Sequence, residues 1–321
     1  MNQTTFTPEV ASLKFQRTYQ VFVEAINGST FEFGSPDGSQ PLLTMEFNVI
    51  RGYQASVQSG NFRIRNVNTN TRNNIFKDGY NFFPRSVKVM AGYVGTPLST
   101  IFQGNAQTIM SYREEGGVDW ITEIIGMDWS FLHTNSFSNH TSNPGTGQAF
   151  TQQHVITNLV SDLQACAKQY GQTLGIGAVN GFFAPRYSYS ACDFTMNLLA
   201  IESNRLAYID NGKIYCFPSN YVFKNPDVTL ISSSTGLLGT PIQTERQLVC
   251  QLIFEPGIQV GQSIFLDTEV LAFNSNINGL YQVVGVQHAG VISSTVSGKC
   301  ITTVTLQYIN TPIVVNPGLY T

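Results

Sequence analysis

The sequence has few charged residues. Asp, Glu, Lys and Arg make up 12% of its 321 positions, about half the share that is usual in soluble domains. Hydrophobic residues account for 42%, so much of the surface must consist of neutral Asn, Gln, Ser and Thr. Because charge is depleted at the centres of protein interfaces, this deficit favours a subunit that buries much of its surface in an assembly. A neutral, monomeric β-protein fits the composition equally well.

The sequence also lacks an excess of positive charge. Its formal net charge is −3 and its Lys and Arg residues are dispersed, whereas a nucleic-acid-binding domain presents a basic patch or stripe. We therefore exclude a protein whose function is to read nucleic acid.

Signal-like and membrane-spanning segments are missing as well. The N-terminal stretch MNQTTFTPEVASLKFQ has no basic segment followed by an apolar run, and no later run approaches the roughly 20 apolar residues that span a bilayer. We expect the chain to be made and kept in the cytoplasm unless another system exports it, with no membrane insertion. The cysteines are odd in number, widely spaced and without a CxxC pair, so we expect buried thiols in a reducing compartment. They are Cys166, Cys192, Cys216, Cys250 and Cys300.

Reactive side chains at a diagnostic spacing are equally scarce. The histidines His133, His140, His154 and His288 form neither an HExxH nor a two-histidine metal pattern. The glycines of GIGAVNG, residues 175–181, have the wrong interval for a dinucleotide-binding loop, and we predict an ordinary loop there. The sequence thus predicts no cofactor site and no metal site.

The densest acidic region does not have the pattern of a catalytic pair. Asp119 and Glu123 lie on one face of a predicted strand, and Asp128 lies on the other. We interpret this region, which also contains Glu114 and Glu115, as a strand facing solvent or a channel rather than as two carboxylates that hydrolyse a glycan. The neighbouring aromatics Trp120 and Trp129 are interpreted as core residues. No catalytic residue is predicted.

What the sequence does contain is a succession of short strands. Residues 19–128 alternate with a period of two in runs such as YQVFVEAI and SVKVMAGY, separated by Gly, Pro and Asn, with a short helix at TNTRNNIF. The stretch from Ser136 to Gly147 consists of turn-forming residues and is predicted to be a linker or long loop.

The period then changes to that of a helix. Apolar residues recur at helical spacing from Val155 to Tyr170, with Thr151 as the N-cap and Gly171 as the stop. Asp193 is expected to cap a second helix, and the Asn-Gly pair in YIDNGKIYCF predicts a hairpin with a type I′ turn. Residues 148–230 therefore read as an α/β module, and from Ser232 the pattern is that of strands again.

The stretch ERQLVCQLIFEPGIQVGQSIFLD, residues 245–267, predicts a hairpin with two partly apolar faces. One face of its first strand carries Leu248, Cys250, Leu252 and Phe254, which we assign to a core. The other face carries Val249, Gln251 and Ile253, and an ordinary half-buried strand would show a cleaner polar face. Either the rest of the chain covers this face, or Val249, Gln251 and Ile253 form an interface with another protein. The related sequences IFQGNAQ and LYQVVGVQ further suggest two duplicated small barrels that flank an inserted domain.

Several blocks of the sequence resemble one family. They are NVNTNTRNNIF, the AGY of residues 91–93, IFQG at 101–104, the charged turn 113–117 with the strand that ends at Asp128, the spaced GLxGxPxQT of residues 236–244, and NGLYQVVGVQH at 278–288. In this order they are similar to the baseplate hub proteins of contractile-tailed bacteriophages. The resemblance covers most of residues 15–310, and residues 148–230 match mainly in pattern.

The resemblance implies a β-rich α+β fold with two small tube-like β-barrel domains flanking an inserted α/β domain. The expected domains are 1–135, the first barrel, 148–230, the insertion, and 231–321, the second barrel. It further implies a homotrimeric virion protein, assembled in the host cytoplasm, that joins a sixfold tail tube protein to a threefold central spike protein and lines the tail channel. Tape measure and wedge proteins are further candidate partners, and genomic DNA would be present only in transit. The alternatives are a carbohydrate-binding module and a peptidoglycan hydrolase.

Overall fold

The computed structural model describes most of the chain. The described residues are 16–53, 58–80, 83–142, 150–180, 185–186, 188–203, 206–224, 229–244, 247–268, 271–272, 275–309, 313–315 and 318–319. Within them the fold is β-rich, with four α-helices and one 3-10 turn at Ser233–Thr235. The helices are α1 Thr69–Ile75, α2 Ser130–Asn135, α3 Gln152–Gln169 and α4 Thr195–Glu202. The strands are β1 Arg17–Glu24, β2 Thr30–Gly34, β3 Met45–Gly52, β4 Ser59–Arg65, β5 Ser86–Tyr93, β6 Ser99–Arg113, β7 Trp120–Met127, β8 Phe137–Ser142, β9 Phe150–Thr151, β10 Gly175–Val179, β11 Pro185–Arg186, β12 Tyr189–Phe194, β13 Ala207–Asp210, β14 Lys213–Cys216, β15 Tyr221–Lys224, β16 Leu230–Ile231, β17 Leu237–Gln243, β18 Gln247–Ile253, β19 Gln262–Leu266, β20 Leu271–Ala272, β21 Ser275–Asn276, β22 Gly279–Ile292, β23 Cys300–Tyr308, β24 Ile313–Val315 and β25 Gly318–Leu319.

One large sheet connects the two ends of the sequence. Its main path runs β17-β18-β23-β22-β3-β4-β7-β6-β5-β1-β2. The late and early halves meet where β22 pairs with β3, in an antiparallel register that begins at Gly285↔Gly52 and ends at Ile292↔Met45. Main-chain hydrogen bonds of a sheet ladder, rather than side-chain contacts alone, therefore join the two halves.

The two halves of this sheet share one strand order. The early half runs β3-β4-β7-β6-β5, and the late half runs β17-β18-β23-β22-β19, with every neighbouring pair antiparallel. The long strands β6 and β22 hold the same position, and each has a bulge against its next neighbour, between Ala106 and Thr108 in β6 and between Val283 and Gly285 in β22. The sequence similarity between residues 101–107 and 280–287 falls on these two strands.

Three hydrophobic clusters form the core. The first consists mainly of residues from the early half, the second of residues from the late half, and the third of residues from α2 to β14. Phe254, in the late half, belongs to the first cluster, where its ring centroid lies 5.8 Å from that of Phe47. The hydroxyl of Tyr93 donates to the Phe254 carbonyl at 2.8 Å. The late half thus supplies part of the early half's core.

The local elements of the middle region follow from their capping and turn residues. Thr151 caps α3, since its side chain accepts from the His154 N–H at 3.3 Å. Beyond the other end of α3, Gly171 has a φ of 71°, as a left-handed C-terminal cap requires. Asn211 and Gly212, with φ of 49° and 71°, join β13 to β14 in the predicted hairpin. The predicted helix at TNTRNNIF is also confirmed, as α1, with Asn68 as its cap.

Four sequence predictions need correction. Residues 245–267 are not a hairpin, because β18 pairs with β17 and β23 whereas β19 pairs with β15, β16 and β22. Residues 137–142 of the predicted linker form β8, which pairs in antiparallel fashion with β12. Residues 143–147 lie outside the described part. Residues 175–179 of the predicted loop form β10, held by parallel pairing to β14. Asp193 does not cap α4, since that helix has no side-chain cap.

Among the described residues, no helix is both long enough and apolar enough to cross a bilayer.

Candidate interaction face

Strand β18 divides its side chains between a core and an outer face. Its inward residues Leu248, Cys250 and Leu252 are buried in the second cluster, and Phe254 follows them into the first. Cross-strand partners fix the outer face, because residues directly opposite each other in a ladder point to the same side. The side chains predicted to form an interface therefore point away from the core, and their contact with another protein stays a prediction. The outward residues of β18 are Val249, which is half-buried, and Gln251 and Ile253, which are exposed.

The outer face becomes apolar at the β17–β18 end. Leu238 stands opposite Gln251, and Ile242 stands opposite Val249. Leu238, Ile242 and Ile253 are 40%, 64% and 37% exposed. We call Leu238, Ile242, Val249 and Ile253 the end patch. Leu238 and Ile242 were missed in the sequence because Gly239 and Pro241 interrupt the alternation of β17.

The face becomes neutral and polar along the middle of the sheet. Gln251 is opposite Thr303, which is in turn opposite Gln287. The Gln287 amide donates to Asn48 Oδ1 at 2.9 Å across the β22–β3 joint, and Asn48 is opposite Asn61. Ile50, which is directly opposite Gln287, adds one half-exposed apolar side chain. Uncharged groups, most of them amides and hydroxyls, therefore take the place of charges over the centre of this face, in keeping with the low charge of the sequence.

Charged residues occur where the face continues onto β4 and β7. Glu46 accepts from Arg65 at 2.7 Å and from Arg63 at 3.5 Å, and Arg63 also contacts Glu114. These side chains are about one-third exposed, apart from the more exposed Glu114, so solvent screens their interactions. Glu123 accepts from Asn61 and from the Tyr112 hydroxyl at 3.1 Å each. The carboxylates of this region thus accept hydrogen bonds from neighbouring side chains within the sheet.

Asp119 and the two tryptophans complete this acidic region around β7. Asp119 accepts from Asn66 at 2.8 Å. Trp129 is buried in the third cluster, as predicted. Trp120 is only half-buried, and the guanidinium carbons of Arg72 and Arg113 lie 4.1 and 4.9 Å from its ring centroid. Cations already occupy the ring on which a sugar would stack.

A buried ion pair holds the two halves and the middle region together behind this face. Arg51, at the end of β3, makes a two-pronged contact with Asp210 of β13, with Nε–Oδ1 and Nη2–Oδ2 distances of 2.8 and 2.6 Å. Its Nη1 donates to the Ile258 carbonyl at 3.2 Å. Both side chains of the pair are at most 2% exposed. One guanidinium of the early half therefore contacts both the middle region and the late half.

Asp128 is a third buried ionisable group in the same place. Burial raises the pKa of Asp128 well above its ordinary value, and the nearby Asp210 carboxylate raises that pKa further, while Arg51 opposes both effects. The residue is 3% exposed. Asp128, which the sequence predicts on the opposite strand face from Glu123, thus lies in a buried junction with Arg51 and Asp210. It does not form a surface pair of carboxylates with Glu123.

This arrangement predicts a pH-dependent stability. The folded chain holds the Asp128 proton more tightly than the unfolded chain does, so the free energy of unfolding should fall as the pH rises from about 4 through the raised pKa. Asp128→Asn should remove this dependence and should be more stable than wild type in alkaline buffer. Thermal melts across a pH series test it, with Asp119→Asn, at a half-buried position, as the control that should keep the wild-type profile. Equal pH profiles for wild type and Asp128→Asn would contradict the assignment.

The histidines and cysteines occupy separate places. His140 lies 2.6 Å from Asp162, joining β8 to α3, and His288 is buried beside Thr302. Burial lowers the pKa of His288 well below its ordinary value, and Arg51 lowers it further. In the described part of the chain no group of three or more His, Cys, Asp or Glu residues could hold a metal ion. The prediction of buried thiols is wrong for Cys192, which is exposed on β12, whereas the other four are buried.

The family comparison matches the late part of this arrangement. Residues 181–289, which include β17, β18 and most of β22, match the family model described as baseplate hub gp41. The predicted resemblance to baseplate hub proteins is confirmed. No curated protein sequence shows significant similarity to the chain.

Solved structures with little sequence identity share the fold. A tail protein from Neisseria meningitidis MC58 matches with a TM-score of 0.51 and 10% identity over 90% of this chain and 96% of its own. The 43 kDa tail protein of prophage MuSo2 from Shewanella oneidensis gives 0.54 and 8% over 90% and 97%. The E. coli c3393 protein gives 0.50 and 12% over 85% and 76%, and is described as a type VI secretion component with structural similarity to T4 bacteriophage tail proteins gp27 and gp5. The chain thus has the fold of these tail proteins and resembles baseplate hub proteins, which are structural components of phage tails.

Proposed function

We propose that three copies of this chain form a baseplate hub that joins a sixfold tail tube to a threefold central spike. The observation that carries this proposal is the repeated strand order of the two sheet halves. A chain with two equivalent units presents six of them in a trimer. Such a ring matches a sixfold tube on one side while keeping threefold symmetry for a spike on the other.

The two halves are proposed to be tube-like β-barrel domains, residues 1–135 and 231–321, with residues 148–230 as an inserted α/β domain. The three hydrophobic clusters support this division, since each is drawn mainly from one of the three regions. Residues such as Phe254 in the first cluster and Tyr208 in the second join neighbouring regions. The paired strands β22 and β3 would make both barrels parts of a single wall.

The polar middle of the outer face is proposed to line the tail channel through which genomic DNA passes. Asn48, Asn61, Gln287 and Thr303 carry no charge, so they would not hold phosphates electrostatically. The half-exposed Ile50, opposite Gln287, is a further uncharged side chain there. The end patch, which includes the predicted interface residues Val249 and Ile253, is instead proposed to meet a neighbouring copy, with Gln251 at its border. Both assignments place the protein in the virion, in contact with tail tube and spike proteins, after assembly in the host cytoplasm.

Mass measurement and electron microscopy together test the hub proposal. Light scattering of the purified chain with its tube and spike partners should give a mass containing three copies, and micrographs should show the protein at the end of tail tubes. A monomer that leaves tube ends free would contradict the proposal. So would robust cell-wall hydrolysis that is abolished by Glu123→Ala, since it would indicate a peptidoglycan hydrolase.

A further inference from the structure

A cleft lies between strands β1, β5 and β6 of the early half and the first part of the middle region. Its volume is about 430 Å³, which is within the range of small-ligand sites. The strands contribute Phe22, Lys88 and Gln103, and the opposite side contains Trp129 and, just after α3, Gln172. Ligand sites are common where two parts of a protein meet in this way.

The lining of this cleft includes a buried hydrogen-bond donor that lacks an acceptor. Trp129 is 2% exposed, and its Nε1 has no hydrogen-bond partner in the part of the chain that the structure describes. A buried indole N–H ordinarily has a partner, because leaving a buried donor unpaired costs free energy. The backbone of Trp129 also has a φ of 38°, an unusual value for a bulky residue and one that is found at ligand-binding positions. The indole N–H therefore requires an oxygen atom from outside the described residues.

Two further donors lie beside this indole. A Cβ atom on Gly212 would be 2.9 Å from Gln103 Nε2 and 3.2 Å from Trp129 Nε1, so both nitrogens lie next to the same glycine. Lys88 is directly opposite Gln103 in the β5–β6 ladder, so the two side chains are on one face of the sheet. The ion pairs of the described residues do not include Lys88. We call Lys88, Gln103 and Trp129 the donor row. One ammonium group and two neutral N–H donors are suited to bind a carboxylate.

A carboxylate of the protein in the same cleft narrows the class of ligand. Glu24 Oε2 accepts from the Ser86 N–H at 2.9 Å and from the Gln172 amide at 3.5 Å. Its Oε1 accepts no hydrogen bond from the described residues. The negative charge of Glu24 opposes the binding of a bare anion such as inorganic phosphate. A carboxylate ligand that has its own N–H group can instead donate to Glu24 Oε1.

We propose that this cleft binds a carboxylate that carries an N–H donor, as an acidic amino acid does. The donor row binds the carboxylate, and Glu24 accepts from the N–H group of the ligand. Phe22, which is directly opposite Lys88 in the β1–β5 ladder, packs against the aliphatic carbons between these two groups. A free amino acid and an acidic residue in a peptide segment of a partner protein share this chemistry. The site does not depend on the proposed hub, because a single copy of the chain supplies every residue of it.

Tryptophan fluorescence tests the site. The chain has two tryptophans, so Trp120→Phe leaves Trp129 as the single reporter. In this background, free glutamate is compared with its diamide, and acetyl-Gly-Glu-Gly-amide is compared with acetyl-Gly-Gln-Gly-amide. At least one of the two carboxylates should change the Trp129 emission to saturation, and its amide counterpart should bind at least about tenfold more weakly, since hydrogen bonds to an ionised group are the stronger ones. Saturation by free glutamate supports a small-molecule ligand, and saturation by the glutamate peptide alone supports an acidic segment of a partner protein.

Substitutions in the cleft connect the signal to the donor row. Lys88→Met should weaken carboxylate binding at least about tenfold, whereas Lys88→Arg keeps the positive charge and should still bind. Lys299→Met, at an exposed position before β23, is the matched control and should bind like the parent protein. Inorganic phosphate should bind weakly, and Glu24→Gln should strengthen its binding because the repulsion is removed.

Three results would overturn the proposal. They are the failure of both carboxylates to saturate the signal, equal binding of the carboxylates and their amide counterparts, and unchanged binding by a Lys88→Met variant. Thermal melts show whether each variant is folded, and if Lys88→Met is not, Gln103→Leu takes its place with the same expected loss. None of these results bears on the hub, because they are read from the binding of a ligand and not from the mass of the assembly.

Discussion

Replacing Arg51 with Met should lower the free energy of unfolding by about 3 to 5 kcal/mol. The substitution leaves the Asp210 carboxylate buried without its cation and the Ile258 carbonyl without its donor. Removing one partner of a buried pair is costly because the remaining charge cannot regain its hydration. Equilibrium denaturation measures the loss, and Arg63→Met is the matched control. Its ion pairs with Glu46 and Glu114 are partly exposed, so that change should cost about 1 kcal/mol or less.

A double variant separates the cost of a stranded charge from the loss of the contact. Arg51→Met/Asp210→Leu removes both charges and leaves apolar groups in their place, so it should be more stable than Arg51→Met alone. Three parts of the chain meet at this pair, so a loss from Arg51→Met should appear in one cooperative transition. An Arg51→Met variant whose free energy of unfolding lies within about 1 kcal/mol of wild type would contradict this account. So would a double variant that loses more free energy of unfolding than the two single variants lose together.

Features that depend on neighbouring residues were predictable from the sequence. The cap at Thr151, the Asn211-Gly212 turn and the inward face of β18 each follow from a pattern within a few residues. Capping, turn conformation and two-residue alternation are all local in origin, so the pattern is present whatever the rest of the chain does.

Strand partners were not predictable in the same way. The Pro-Gly turn after β18 suggested a hairpin, yet β18 pairs with β23, which follows some 50 residues later. Partner choice depends on which distant strand covers each edge, and a short sequence pattern does not contain that information. The predicted domain boundaries, including residues 148–230 as the insertion, stay predictions for the same reason.

The buried junction was missed although one signal for it was present. Met45, Phe47 and Val49 alternate inward along β3, and Arg51 continues the same series. A cation at a core-facing position requires a buried partner. Its partner, Asp210, is 159 residues away, and no spacing rule connects the two.

Neighbouring residues of β18 should separate assembly from folding. Ile253 belongs to the exposed end patch, whereas Leu252 is buried in the second cluster. Ile253→Lys would place an ammonium group in the proposed contact between copies, with a cost of several kcal/mol per contact if no partner is available. The variant should therefore unfold cooperatively near the wild-type temperature but lose its trimeric mass. Ile201→Lys, at an exposed position on α4, is the matched control and should leave the trimer intact.

Leu252→Ala should have the opposite effect. It creates a cavity in the second cluster, beside Leu237 on β17 and Thr302 on β23, at a cost of about 2 to 5 kcal/mol in the free energy of unfolding. Below its lowered melting temperature the variant should still form trimers, because the outer face of β18 is unchanged. Light scattering should therefore show loss of the trimer for Ile253→Lys only, and thermal melts should show a lowered melting temperature for Leu252→Ala only. If Ile253→Lys forms a trimer of wild-type stability that still sits at tube ends, the end patch is not a contact between copies, and Val249 and Ile253 face solvent or the channel instead.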